Sequence, residues 1–233
     1  MTFHYTTNKK QLVISRYEEQ LAWLNNVIHH FDEIVIYNKG KSNLNISSEK
    51  VKEIKLANVG RESNTYLHHI VDNYSLLSKY AYIIFSQGDP NKHCPDFVTS
   101  VINRENYTSK PYYFVREPNE KMTFNYEPIA NVHPIGLPVL NFYYHIFCSD
   151  QVERIPQSRN SIMIVPTKNI RFRSINFYKN LLNFVKSDVN PLEGFIFERL
   201  WMPIFDGETK DWFTHYDDYK KKFLGVWNNI PIT

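Results

Sequence analysis

Glycine is scarce, with seven in 233 residues, and cysteine is scarcer, with two. The first apolar strand therefore lacks the glycine-rich basic loop that a nucleotidyltransferase-type domain carries there; it runs instead into "ISRYEEQ". Cys94 and Cys148 form no CxxC and have no second Cys-His pair, which speaks against a zinc framework and for a reducing compartment. Charge of one sign never accumulates. The net charge is +3, and Lys220-Lys221-Lys222 follows Asp217 and Asp218, so it reads as a solvated helix face and no nucleic-acid partner is expected. No apolar h-region precedes the first strand, and no stretch reaches the length of a membrane-spanning helix. We expect a soluble, cytoplasmic chain that is not secreted by a classical signal, compatible with being one domain of a longer polypeptide.

Aromatic residues, in contrast, are abundant: 16 Tyr, 16 Phe and 4 Trp, or 15%. The heavy use of Lys, Asn, Ile and Tyr suggests an AT-rich genome, so aromatic-rich stretches carry little weight as ligand-stacking signals. Apolar patterning gives strands at "QLVISR" (11–16), "DEIVIYNKG" (32–40), "VKEIKLAN" (51–58), "YAYIIFS" (80–86) and "SIMIVPTKNI" (161–170). Helical stripes fall at 17–31, 60–77, 174–187 and 191–205. Residues 101–147 are punctuated by proline and read as short strands, turns and loops. Strand–helix alternation with continuously apolar strands predicts an α/β fold, a mostly parallel sheet flanked by helices, with an irregular insert. We read one domain over 1–233: a half at 11–97, a second half at 98–205 and a tail at 206–233.

In such a sheet, ligands bind outside the carboxyl ends of the strands. Three predicted strand ends are densely polar: Ser15-Arg16-Tyr17-Glu18, Tyr37-Asn38-Lys39-Gly40 and Ser86-Gln87-Gly88-Asp89. The last continues into "PNKHCPDF", which adds His93, Cys94 and Asp96; Cys94 reads as a buried or neutral thiol. In "NVGRESNTYLHHIVDN", Asn58 precedes a turn at Gly60, and Arg61 enters a helix whose N-terminus favours anions. Arg61 is placed either to bind a diphosphate or simply to face solvent. His68 and His69 read as structural. Glu198 stands beside Arg199 in the apolar run "GFIFERLWMPIF". A charged pair there is costly unless it is paired or functional, so catalysis and a structural Glu198–Arg199 network both stay open.

The order of these pieces resembles nucleotide-sugar glycosyltransferases of the GT-A fold. "LVISRYEEQLAWLNNVI" is similar to their opening strand and helix, and "EIVIYNKG" to the strand that ends beside the nucleotide. More closely, "IYNKG", "NVGRESNTYLHHIVDNY", "IIFSQGDPNKHCPDF" and "FERLWMPIF" resemble a domain family of unknown function in fungi, algae and large DNA viruses, usually described as glycosyltransferase-like. The resemblance spans roughly residues 11 to 205. It implies a GT-A-like fold and transfer of a sugar, with inversion, from a nucleotide-sugar donor, a UDP-sugar first, to a glycan or glycoprotein hydroxyl. Ser15, Arg16, Tyr17, Asn38, Lys39, Asn58, Gly60, Arg61, Gln87 and Gly88 would bind the donor. Asp89 would be catalytic and hold a divalent cation, Mn²⁺ or Mg²⁺. Glu198 would be the base. His93, Asp96, His133, Tyr144 and Arg199 would face the acceptor. One departure matters: where GT-A glycosyltransferases carry an Asp-x-Asp-like motif, this chain has Gln87-Gly88-Asp89, with a single carboxylate. A degenerate domain that binds a glycan or partner without turnover is therefore the alternative, and a nucleotidyltransferase-type enzyme the third.

Overall fold

A computed structural model describes residues 8–114, 137, 139–147 and 160–207. Its strands are β1 (Lys10–Arg16), β2 (Glu33–Asn38), β3 (Val51–Lys55), β4 (Tyr82–Gln87), β5 (Tyr112–Tyr113) and β6 (Met163–Pro166). Its α-helices are α1 (Arg61–Asn73), α2 (Phe97–Ile102), α3 (Val139–Phe147), α4 (Thr167–Phe172), α5 (Ile175–Asn183) and α6 (Leu192–Phe205). The six strands form one sheet in the order β3-β2-β1-β4-β6-β5. The pairs β1–β2, β1–β4 and β2–β3 are parallel; β6 runs antiparallel to β4 and β5. The fold is α/β and Rossmann-like, as the alternation of apolar strands and helices predicts. The chain winds outward from β1 to β3, then returns across β1 to β4 by way of α1. The strand order thus reverses between β1 and β4, where open α/β sheets keep their crevice.

Period-two alternation divides the core. Val13, Val35, Ile83, Phe85, Met163 and Val165 point to one face, which α1, α3, α5 and α6 cover. Leu12, Ile14, Ile34, Ile36, Ile84 and Ile164 point to the other, with Trp23, Leu24, Phe97 and Val101. The first face is aromatic: Tyr66, Phe85, Trp201 and Phe205 lie with ring centroids 4.8–6.0 Å apart in successive contacts.

Three elements differ in kind from the sequence expectation. Residues 17–31 do not form an α-helix; they form 3₁₀ turns at Ala22–Asn26 and Ile28–His30. Leu21, Leu24 and Val27 recur every three residues, the 3₁₀ period, and all three are buried. The segment 161–170 is a strand only to Pro166. Thr167 then opens α4, because proline sets the extended residue before the helix and gives up no ladder hydrogen bond there. Residues 139–147, expected among loops, form α3, whose Val139, Phe142, Tyr143, Ile146 and Phe147 are buried at helical spacing. Beyond Gly207 the predicted tail 206–233 lies outside the described residues.

Candidate functional site

Asp89, Gln87, Ser15 and the start of α1 meet at the carboxyl edge of the sheet, but the residues expected to bind the donor divide between its two faces. Ser15 pairs in register with Tyr37 and Gln87. Its Oγ lies 2.9 Å from Thr65 Oγ1 on α1, so Ser15 faces α1. Lys39 faces the same way. Its Nζ donates to Val59 O at 2.6 Å and also to Arg61 O, which ties down the turn before α1. Burial lowers its pKa to about 8.

Arg16 and Asn38 face the opposite side. The buried Arg16 guanidinium donates to Glu19 O, Asn38 Oδ1, Ser42 O and Ser42 Oγ at 2.7–3.2 Å. Asn38 Nδ2 donates to Ser42 O and Glu53 Oε1, and its Oδ1 also accepts from Gly40 N. These residues fasten the loops after β1 and β2 to each other. Their donors are engaged in internal hydrogen bonds. Tyr17 is half exposed beside them, and Asn58 is exposed in the turn before α1.

Between these loops lies an open cleft of about 330 Å³, lined by Arg16, Glu19, Gln20, Leu21, Asn25 and the segment 42–46. Amides (Gln20, Asn25, Asn43, Asn45) and aliphatic side chains (Leu21, Ala22, Leu44, Ile46) share its lining. Glu19 connects the cleft to the end of β4, since a Cβ on Gly88 would fall 2.6 Å from Glu19 Oε2. The Gly88 carbonyl accepts from Trp23 Nε1 at 2.9 Å. Gly88 thus leaves room for the Glu19 side chain to pack against the end of β4. Asp89 follows, part-exposed, and its carboxylate makes no capping bond to the 3₁₀ turn Pro90–Lys92 that it precedes.

The other side of the edge is acidic and largely buried. Gly60, with φ +64°, makes the left-handed turn into α1, and a Cβ there would meet Val185 O at 2.0 Å. Arg61 also has positive φ, 52°, which is costly for a residue with a side chain and marks a position held by its surroundings. Lys39 supplies part of that hold. The Arg61 guanidinium lies 4.2 Å from the Phe195 ring centroid, with Nη1 3.3 Å from Asn190 Oδ1. Its Nε is 3.8 Å from Glu62 Oε2 and has no hydrogen-bond partner among the described residues.

Glu198 lies on the face of α6 shared by Gly194 and Trp201. Its Oε2 is buried without a hydrogen-bond partner among the described residues, 3.7 Å from Arg199 Nη1. Burial first, then the neighbouring Glu62, raises its pKa from 4.5 to about 7, while Arg199 and Arg61 pull it back. Arg199 Nη1 donates 2.6 Å to Phe195 O on its own helix and so braces α6.

Glu62 and Ser161 complete this group, and sequence reasoning passed over both. Met163 pairs with Phe85 in antiparallel register, so Ser161 comes level with Gln87. Ser161 Oγ donates to Glu62 Oε1 at 3.0 Å and accepts from Trp201 Nε1 at 3.3 Å. The one local hint was a carboxylate in the first turn of a helix whose next five residues are all buried.

The acceptor set is not gathered in one place. His93 and Asp96 belong to the α2 side of the sheet; Asp96, exposed, accepts from Ser100 Oγ at 3.4 Å and serves the start of α2. Tyr144 packs, half buried, against the aromatic core from α3. His133 lies outside the described residues. Cys94 is fully buried, with Asn160 Nδ2 3.3 Å from its sulfur, as expected of a structural thiol. Among the described residues no three His, Cys, Asp or Glu side chains come together as a metal cage.

A family model described as a protein of unknown function, DUF3431, matches residues 12–219. The chain belongs to that family. The match covers both flanks of the crevice, from β1 to Glu198 on α6. No curated protein and no solved structure matches this DUF3431 chain. No helix among its described residues is long and apolar enough to cross a membrane.

Proposed function

We propose that this chain transfers a sugar, with inversion, from a nucleotide-sugar to a hydroxyl acceptor, with Glu198 as the base. The supporting observation is Glu198 itself: a carboxyl with a buried, unbonded oxygen and a pKa of about 7, on the side of the crevice that Arg61 borders. That poise suits proton removal near neutral pH. In the proposed step Glu198 takes the acceptor hydroxyl proton as the acceptor oxygen bonds to the anomeric carbon. The bond from that carbon to the phosphate oxygen breaks, and its electron pair leaves with the nucleoside diphosphate. The amide-lined cleft beside Arg16 offers a seat for the base, and Arg61 a charge for the diphosphate. Asp89 would hold a divalent cation, whose chemistry is to neutralise the leaving diphosphate.

A second reading has its own support. Arg16, Asn38 and Lys39 are held by internal hydrogen bonds, which leaves fewer donors for a diphosphate and favours a non-catalytic domain that binds a glycan or partner. The variant Glu198→Gln separates the two. If Glu198 is the base, donor binding survives and transfer falls by roughly 10²–10⁴-fold. Near-normal transfer by the folded variant overturns the assignment.

A further inference from the structure

Lys39, just beyond the end of β2, is 8% exposed, and its ammonium gives two of its three donors to backbone carbonyls. Val59 O lies at 2.6 Å and Arg61 O at 2.5 Å. These carbonyls flank Gly60, and the backbone between them is left-handed twice in succession: φ is +64° at Gly60 and +52° at Arg61. Glycine adopts that conformation freely. Arg61 is the one non-glycine residue among those described that adopts it. Two carbonyl oxygens directed at one point repel unless a donor stands between them, and the Lys39 ammonium fills that place.

The backbone conformation at Arg61 sets where its side chain goes. Its Cδ packs 3.1 Å from the place a Cβ on Gly194 would take, and its guanidinium lies 4.2 Å from the Phe195 ring centroid. Nη1 is 3.3 Å from Asn190 Oδ1. Gly60 is anchored on its own account, since its N–H donates to Asp188 O at 2.6 Å. A change of φ at Arg61 would therefore swing the Arg61 side chain rather than move the whole turn. We propose that Lys39 is a positioning residue: it holds the turn at Val59–Arg61 in the left-handed form that lays the Arg61 guanidinium across Phe195 beside the crevice. The proposal rests on the reading of Arg61 as the partner of the donor diphosphate, and it gives Lys39 a role that involves no contact with that diphosphate. The ammonium keeps its charge at pH 7, because burial lowers its pKa only to about 8.

The test has two readouts on the full chain at pH 7. The first needs no ligand. Arginine side-chain N–H resonances are recorded by NMR, and that of Arg61 is assigned by its loss in Arg61→Ala. A proton above an aromatic ring is shifted upfield, so the Phe195 ring marks this resonance. Lys39→Met keeps the apolar stem and removes every donor; it should move the Arg61 resonance to the position of solvent-exposed arginines. An unchanged resonance in the folded variant overturns the proposal. The second readout is calorimetric binding of inorganic pyrophosphate. Arg61→Ala should weaken it by roughly 10- to 100-fold, the loss of a charge-assisted contact. Lys39→Met should weaken it nearly as much, and the double variant no further than Arg61→Ala alone. Additive losses would mean that Lys39 touches the anion itself, and would overturn the positioning role. If the resonance moves in Lys39→Met but Arg61→Ala leaves pyrophosphate affinity unchanged, the positioning of Arg61 stands and the diphosphate reading fails. If Lys39→Met does not fold, Lys39→Gln, with its N–H donors on a stem too short to bridge both carbonyls, takes its place in both readouts.

Discussion

Replacing Glu198 by glutamine should make the protein more stable at pH 8 and leave it nearly unchanged at pH 5. The folded-state pKa is raised, from 4.5 to about 7. Between those values the folded protein binds more protons at this site than the unfolded chain. Its stability therefore falls as pH rises through that window, and the loss is complete above it. At 1.36 kcal/mol per pH unit, a displacement of this size amounts to about 3 kcal/mol at pH 8. Glutamine carries no charge at either pH, and its buried amide atom inherits a position that already lacks a hydrogen-bond partner. For a chain of this length the gain corresponds to a rise in Tm of about 6–12 °C at pH 8. The assay is urea unfolding of parent and variant side by side at pH 5 and pH 8, where the difference between them cancels every other titrating group. An equal difference at both pH values would refute the reasoning, because Glu198 would then be titrating like an exposed carboxyl.

Gly60→Ala should lower stability by about 2 kcal/mol or more, since the residue sits at φ +64° with Val185 O in the way; thermal denaturation within a degree of the parent would contradict that. Arg16→Ala should cost about 3 kcal/mol in chemical denaturation, because four hydrogen bonds from a buried guanidinium are lost; a fully stable variant with weakened donor binding would return Arg16 to the donor site. His69 is held well below its ordinary 6.5, at about 3, first by burial, between Tyr37 OH and Gln11 Oε1. Its contribution is present above 6.5 and is lost as pH falls toward 3, so His69→Gln should flatten the acid side of the stability profile, and an unchanged acid slope would assign that loss elsewhere.

The sheet was legible because its strands are continuous apolar runs ending in polar clusters, and Val13, Val35 and Phe85 sit where that pattern puts them. The helix at 60–77 was legible at its start, where glycine, arginine and the first buried turn coincide, although α1 ends at Asn73. What failed was information carried by tertiary partners. Leu21, Leu24 and Val27 fit either helical period until the turns between β1 and β2 are known to be 3₁₀. Strand ends can be placed in one crevice from sequence, but neighbours in sequence point to opposite faces. Ser15 meets α1 while Arg16 meets the Ser42 loop, and Lys39 and Asn38 part in the same way. Glu198 stood out as a lone carboxylate in an apolar run. Glu62 did not, because its partner Ser161 is 99 residues distant and nothing local marks the pairing.

The central claim is that the crevice receives a nucleotide-sugar, and a thermal-shift series on the parent chain tests it most directly. UDP-, GDP- and dTDP-sugars, with and without Mn²⁺, are compared with nucleoside triphosphates and with free glycans. The account predicts a rise in Tm with one nucleotide-sugar, greater than with the matching triphosphate, and a smaller rise in Arg61→Ala and Asp89→Asn. Stabilisation by a glycan alone, or by triphosphates alone, would contradict it.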